Sequence, residues 1–134
     1  DIDVQVGGSL EIDDDVERLI EARRPAMAFT LGGMGPAQTH FYNDAFKRAG
    51  YEDAAIQVQS LWVKGDKEAA IRAVPDEMVL KTNLIGTRDM IIDRIKAYAN
   101  AGVTTLRIST SGKNWRERTD TLAEANDLIH SIKA

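Results

Sequence analysis

The first six residues, Asp1-Ile2-Asp3-Val4-Gln5-Val6, alternate polar and apolar side chains with the period of a strand that buries one face. Gly7-Gly8-Ser9 is expected to break that strand. Asp13-Asp14-Asp15 then precede an amphipathic run through Val16, Leu19, Ile20 and Ala22, so carboxylates stand where a helix N-terminus needs acceptors and negative charge. The helix is predicted to reach Arg24. Pro25 lacks a backbone donor, which predicts a kink or a restart with a second helix over Ala26 to Leu31. Gly32-Gly33-Met34-Gly35-Pro36 reads as the most flexible stretch of the chain. It leads into a helix containing Phe41, Tyr42, Ala45 and Phe46 that stops at Gly50.

Apolar residues recur at helical spacing from Glu52 to Val63, and Gly65-Asp66 turns the chain and caps a short helix through Ala73. Pro75 opens another short helix with Met78, Val79 and Leu80, followed by Leu84-Ile85-Gly86 as a short strand. Thr87 suits the N-cap of a helix whose face carries Ile91, Ile95 and Tyr98, and Gly102 ends it. Val103 to Ser109 is rich in β-branched residues and reads as a buried strand, which completes a β-α-β unit. After Thr110-Ser111-Gly112-Lys113-Asn114 a last helix carries Leu122, Ala125, Leu128, Ile129 and Ile132 on one face. Strands and helices that alternate in this way belong to doubly wound sheets or to β/α barrels. Three strands alone would leave sheet edges and a bare face to be covered.

Composition narrows the function. The chain has 134 residues, well short of the ~250 of a whole β/α barrel. With 43% hydrophobic and 28% charged residues it has the balance of a folded globular domain, and one domain over residues 1–134 is expected. A net charge of −4 and the absence of a long basic run exclude nucleic acid as a partner; Lys113, Arg116 and Arg118 read as a solvated face. There is no cysteine, which excludes disulfides and thiolate chemistry and fits a cytoplasmic protein. No run reaches the ~18 apolar residues of a membrane span. The chain starts at Asp1 rather than Met, which leads one to expect a processed or truncated product.

Three segments in order, Gly32-Gly33-Met34-Gly35-Pro36, His40-Phe41-Tyr42-Asn43-Asp44 and Ala49-Gly50-Tyr51-Glu52-Asp53-Ala54, resemble the C-terminal region of luciferase-like flavin or deazaflavin oxidoreductases. Val74-Pro75-Asp76-Glu77-Met78-Val79, Leu84-Ile85-Gly86-Thr87, Tyr98 and Ala101-Gly102-Val103-Thr104-Thr105-Leu106 are similar to that family's closing segments in the same order. The resemblance implies an α/β fold, the C-terminal portion of a (β/α)8 TIM barrel with a helix-rich insertion. It also implies a parent that uses coenzyme F420 or FMN to transfer hydride to a small-molecule substrate, or to activate oxygen. Catalytic residues from early strands would lie outside this chain, and its partner would be the missing N-terminal barrel half or a second copy.

Barrel enzymes place ligand contacts at the C-terminal ends of strands and often hold phosphate at a helix N-terminus. On that ground Ser109, Thr110, Ser111 and Gly112 are the candidate cofactor contacts, although the same segment also reads as a turn with a serine or asparagine cap. Phe41 and Tyr42, with Phe46, are candidates for a substrate wall beside the glycine corner, and at helical spacing they also read as core. His40 and His130 have no metal partners at ligand spacing and read as surface or packing histidines. The Asp13–Asp15 run reads as a helix cap rather than a cation site, because consecutive side chains diverge. No catalytic residue and no metal ligand is assigned. A different class of function stays open: a non-catalytic half barrel whose exposed edge and apolar face drive homo-oligomerisation.

Overall fold

The computed structural model describes residues 2–36 and 38–133, so Asp1, the first residue of the expected strand, lies outside them. Three strands form a parallel sheet: β1 (Gln5–Ile12), β2 (Leu84–Gly86) and β3 (Thr105–Thr110), in the order β2-β1-β3. β1 therefore takes the middle, with Leu10 opposite Leu84 on one side and Val6, Gly8 and Leu10 opposite Leu106, Ile108 and Thr110 on the other. The expected break at Gly7-Gly8-Ser9 does not occur. Glycine weakens a strand by backbone entropy, but Gly7, Gly8 and Ser9 pair with Arg107, Ile108 and Ser109 of β3, and that ladder holds them extended.

The helices are α1 (Val16–Gly32), α2 (Phe41–Phe46), α3 (Glu52–Val63), α4 (Lys67–Arg72), α5 (Asp76–Thr82), α6 (Arg88–Asn100) and α7 (Trp115–Lys133). Asp15 caps α1 by accepting the Arg18 N–H at 3.1 Å, Asp66 accepts the Ala69 N–H to cap α4, and Thr87 accepts the Met90 N–H to cap α6. α1 runs through Pro25 without the expected restart. Proline removes one hydrogen bond there, while the apolar face on either side of it, Leu19 and Ile20 before and Met27, Ala28 and Leu31 after, is buried and keeps both halves in register. Between α2 and α3 the segment Lys47–Tyr51 makes a wide turn that leaves helical geometry at Gly50, whose φ of 95° is a conformation that glycine adopts without strain.

The chain divides into two compact units, residues 1–19 with 83–134, and residues 20–82. In the first, the core lies on one side of the sheet. Leu10 and Leu84 meet Ile91 and Ile95 of α6 and Ala125 and Leu128 of α7, with Ile12, Leu106 and Ile108 packed against them. The other side of the sheet is polar: Gln5, Gly7 and Arg107 are exposed there, and Ser9 and Ser109 bring their hydroxyls to 3.4 Å. Asp3 ties the start of β1 to the start of β3 by accepting hydrogen bonds from the hydroxyls of Thr104 and of Thr105, the latter at 2.8 Å.

Among the described residues, the elements of the second unit are helices joined by turns. The glycine corner read as flexible serves close packing instead: a Cβ on Gly32 would stand 2.4 Å from the Trp62 Cβ, and one on Gly33 would stand 2.7 Å from the Phe29 ring. Neither glycine has a positive φ, so absence of a side chain rather than conformational freedom is what these positions use. Asn43 is fully buried, and its amide donates to the carbonyls of Leu31 at 2.9 Å and Ala55 at 2.8 Å. His40, 2% exposed, caps α2 by accepting the Asn43 N–H. Arg24 is held on the same unit by the Val74 carbonyl, by Asp76 and by Glu21 at 2.7 Å.

Candidate functional site

The C-terminal ends of β1 and β3 open into a cleft of about 540 Å³. Ile12 of β1 forms its apolar floor, above the fully buried Leu10. Ser111, Gly112 and Lys113 form one wall, continued by Glu117, Asp120 and Thr121 from the first turns of α7. Glu11 and Arg18 form the other. The strand extension past Gly7-Gly8-Ser9 is what brings Leu10, Glu11 and Ile12 to this position.

The loop between β3 and α7 is tied down from both sides. The Ser111 N–H reaches the Leu10 carbonyl at 3.5 Å, and Arg118 Nε donates to the Gly112 carbonyl at 3.1 Å. Gly112 is pressed against α7: a Cβ there would lie 2.8 Å from Arg118 Cγ and 3.0 Å from the Arg118 backbone nitrogen. Asn114 caps α7 by accepting the Glu117 N–H at 3.0 Å, and Glu117 reaches back to accept the Lys113 N–H at 2.8 Å and the Asn114 side-chain amide at 3.0 Å. This is a variant of the capping box in which the return bond falls on the backbone amide one residue before the cap, so the asparagine-cap alternative for this segment is the one the geometry displays.

On the opposite wall Arg18 Nη2 binds Asp13 at 2.7 Å and Glu11 at 3.3 Å. The Asp13 carboxyl is held below its ordinary range, first by the Asp15 N–H and then by Arg18. The Arg18 guanidinium is correspondingly raised, mainly by its hydrogen bond to Asp13. The aspartate run thus acts in helix capping and in an ion pair at the rim of the cleft.

The structure brings two of the four candidate cofactor contacts, Ser111 and Gly112, into this cleft. Thr110 pairs with Leu10 as the last residue of β3, and Ser109 lies beside Ser9 on the polar side of the sheet. The candidate substrate residues belong to the helical unit. Phe41 is 72% and Tyr42 43% exposed, their rings packed edge-on at 5.5 Å, so the core alternative does not hold for either. Asn43 occupies the buried side of α2 in their place, and no apolar periodicity announces a buried asparagine. Glu11, Arg18 and Asp120 were also absent from the sequence-based candidates. The pair Asn114 and Glu117, three residues apart ahead of an apolar run, was legible as a capping box.

Parallel strands with helices packed on one side, a polar opposite side and a cleft at their C-terminal ends define a portion of a β/α barrel, in which helices form the outer ring. Comparison with known proteins makes this specific. Residues 1–105 match the luciferase-like monooxygenase family, and the chain belongs to that family. A Mycobacterium tuberculosis protein named as a coenzyme F420-dependent oxidoreductase is 30% identical over 112 residues, which cover 84% of this chain and 32% of that relative. The 5,10-methylenetetrahydromethanopterin reductase of Archaeoglobus fulgidus is 29% identical over 101 residues, 72% of this chain and 28% of the relative. Among solved structures, the coenzyme F420-dependent tetrahydromethanopterin reductase of Methanopyrus kandleri superimposes with a TM-score of 0.65 at 25% identity, covering 98% of this chain and 36% of that one. The fold is therefore a partial barrel, and the chain spans about a third of the length of the proteins it matches. No helix among the described residues is long and apolar enough to cross a membrane.

Proposed function

We propose that this chain is the C-terminal part of a coenzyme F420-dependent oxidoreductase barrel and that alone it binds the cofactor weakly or not at all. One observation carries this: a chain matching the family over residues 1–105 contributes a sheet of only three strands. Barrel enzymes assemble their catalytic groups from the ends of several strands, so most of the machinery belongs to the remainder of the parent. When bound, the deazaflavin supplies hydride transfer to or from a small-molecule substrate; the names of the relatives favour it over FMN.

Within this chain, the Ser109–Gly112 segment is assigned to contact the cofactor, with Ile12 as an apolar floor and the Ser111 and Thr121 side chains as hydrogen-bonding groups at the rim. A cleft of about 540 Å³ is of the size that holds part of a cofactor. Phe41 and Tyr42 are assigned to the substrate, whose apolar portions suit two exposed stacked rings. No proton-transfer or other catalytic step is assigned to a residue of this chain.

The test is a fluorescence titration of F420 and of FMN against the chain alone and against the intact parent. F420 is expected to bind the parent more tightly than FMN does, and the chain alone far more weakly than the parent. Preference of the parent for FMN, or full affinity in the chain alone, would sink the proposal. A second reading has its own support. β3 is a free sheet edge, and beside it Leu106, Ile108, Ala125 and Ile129 line an apolar groove with the half-exposed Leu122. If the chain forms a stable homo-oligomer that binds neither cofactor, it acts as an interaction module through that edge.

A further inference from the structure

We infer that the cleft at the ends of β1 and β3 receives an uncharged part of its ligand and turns phosphate away, with Glu117 as the residue that sets the preference. This rests on the proposal that the cleft contacts a cofactor, and it fixes which end of that cofactor the cleft accepts. Both F420 and FMN carry phosphate, and a helix that follows a barrel strand is where phosphate is often held. In this chain that position is filled from within. The Glu117 carboxylate accepts the Lys113 N–H at 2.8 Å and the Asn114 amide at 3.0 Å, while Asn114 takes the Glu117 N–H. The loop cannot shift to offer other amides without disturbing Gly112, whose α-carbon is packed against Arg118 with no room for a side chain.

The charges around the cavity act in the same sense. Three carboxylates, Glu11, Glu117 and Asp120, line it against Arg18 and Lys113, and Arg18 already binds Glu11 and Asp13. A phosphate entering here meets net negative charge and must displace a carboxylate that already satisfies two donors. An uncharged ring meets neither obstacle and covers the half-buried Ile12 side chain. The donor set therefore does not fit the phosphate of either cofactor, and the phosphate is left to segments outside this cleft.

The experiment needs no cofactor, so its outcome is independent of whether the chain belongs to an F420 enzyme. Inorganic phosphate is titrated into the 134-residue chain at constant ionic strength, with the amide resonances of Ser111, Gly112 and Lys113 followed by NMR. The same titration is made on Glu117→Ala, which vacates the position, and on Glu117→Gln, which removes the charge and keeps a single acceptor oxygen for one of the two donors. Glu11→Gln, on the far wall and outside the α7 cap, gives a variant whose folding does not depend on that cap. Phosphate is expected to bind Glu117→Ala roughly two- to fivefold more tightly than the unaltered chain, the scale of one charge at a helix end. Glu117→Gln and Glu11→Gln are expected to fall between the two. Equal affinity in all four forms, whether tight or absent, overturns the inference, as does tight phosphate binding by the unaltered chain at these amides.

Discussion

Leu10 and Asn43 are both completely buried, yet they hold their surroundings in different ways. Leu10 sits in the middle strand of the sheet, where β2 and β3 already satisfy the backbone on both sides, and what the position needs is apolar volume against α6 and α7. Asn43 sits in a six-residue helix among other short helices, where chain ends are frequent. The carbonyl of Leu31 lies in the last turn of α1 and has no partner further along that helix, so a side-chain amide is required to satisfy it. A parallel sheet satisfies its own polar groups and selects side chains by shape. A stack of short helices leaves polar ends over and selects particular side chains to meet them.

The largest effect is expected from emptying the sheet core. Leu10→Ala should destabilise the chain by about 3–4 kcal/mol in urea unfolding, with amide exchange rising first in residues 83–133, because the cavity is enclosed by a ladder that cannot collapse. Asn43→Leu is close in size and should cost about 1–3 kcal/mol, since it strands the buried Leu31 carbonyl rather than creating a void. Its exchange signature should appear in residues 20–82. If instead Asn43→Leu is neutral, the distinction drawn between the two regions is wrong and both cores select by shape alone.

The smallest effect concerns pH. The Asp3 carboxyl is held below its ordinary range, first by the Thr104 hydroxyl and then by Gln5 and Thr105. A depressed folded-state value means that the unfolded chain binds the proton more readily. The contribution is therefore complete above the ordinary carboxylate range near about pH 4 and is lost as pH falls through the lower folded value. Asp3→Asn should flatten the acid limb of the stability profile slightly and leave the neutral region almost unchanged. A steeper acid limb in the variant would contradict the assignment of these hydrogen bonds to the charged form.

Helix ends were the most legible feature of the chain. Asp15, Asp66, Thr87 and Asn114 each cap the helix that follows, because a cap is a contact between residues two or three apart and needs no knowledge of the rest of the fold. Gly50, Gly65 and Gly102 mark turns for the same local reason, and each has a positive φ. The ordered motifs that resemble the luciferase-like oxidoreductases gave the family correctly. What was misread lay where a distant segment overrides local preference. Gly7 and Gly8 stay extended because β3 bonds to them from a hundred residues away, and Pro25 stays helical because its neighbours are buried. Gly32 marks the close approach of Trp62 rather than a flexible joint.

The candidate site divides along the same line. Sequence pointed to the end of β3 and the loop before α7, which is where the cleft lies, but it could not supply the opposite wall. Glu11 and Arg18 reach the cleft only because β1 runs on to Ile12 and takes the middle of the sheet. By itself the sequence determined the family, the alternation of strands with helices, the caps and the turns, all of which depend on residue type and spacing over a few positions. Only the tertiary structure decided the strand order, the burial of Asn43 in place of Phe41 and Tyr42, and the placing of Glu117 across the cleft from Glu11 and Arg18. Those outcomes depend on which remote segments supply hydrogen bonds, volume and charge, and a linear pattern carries no distance between them.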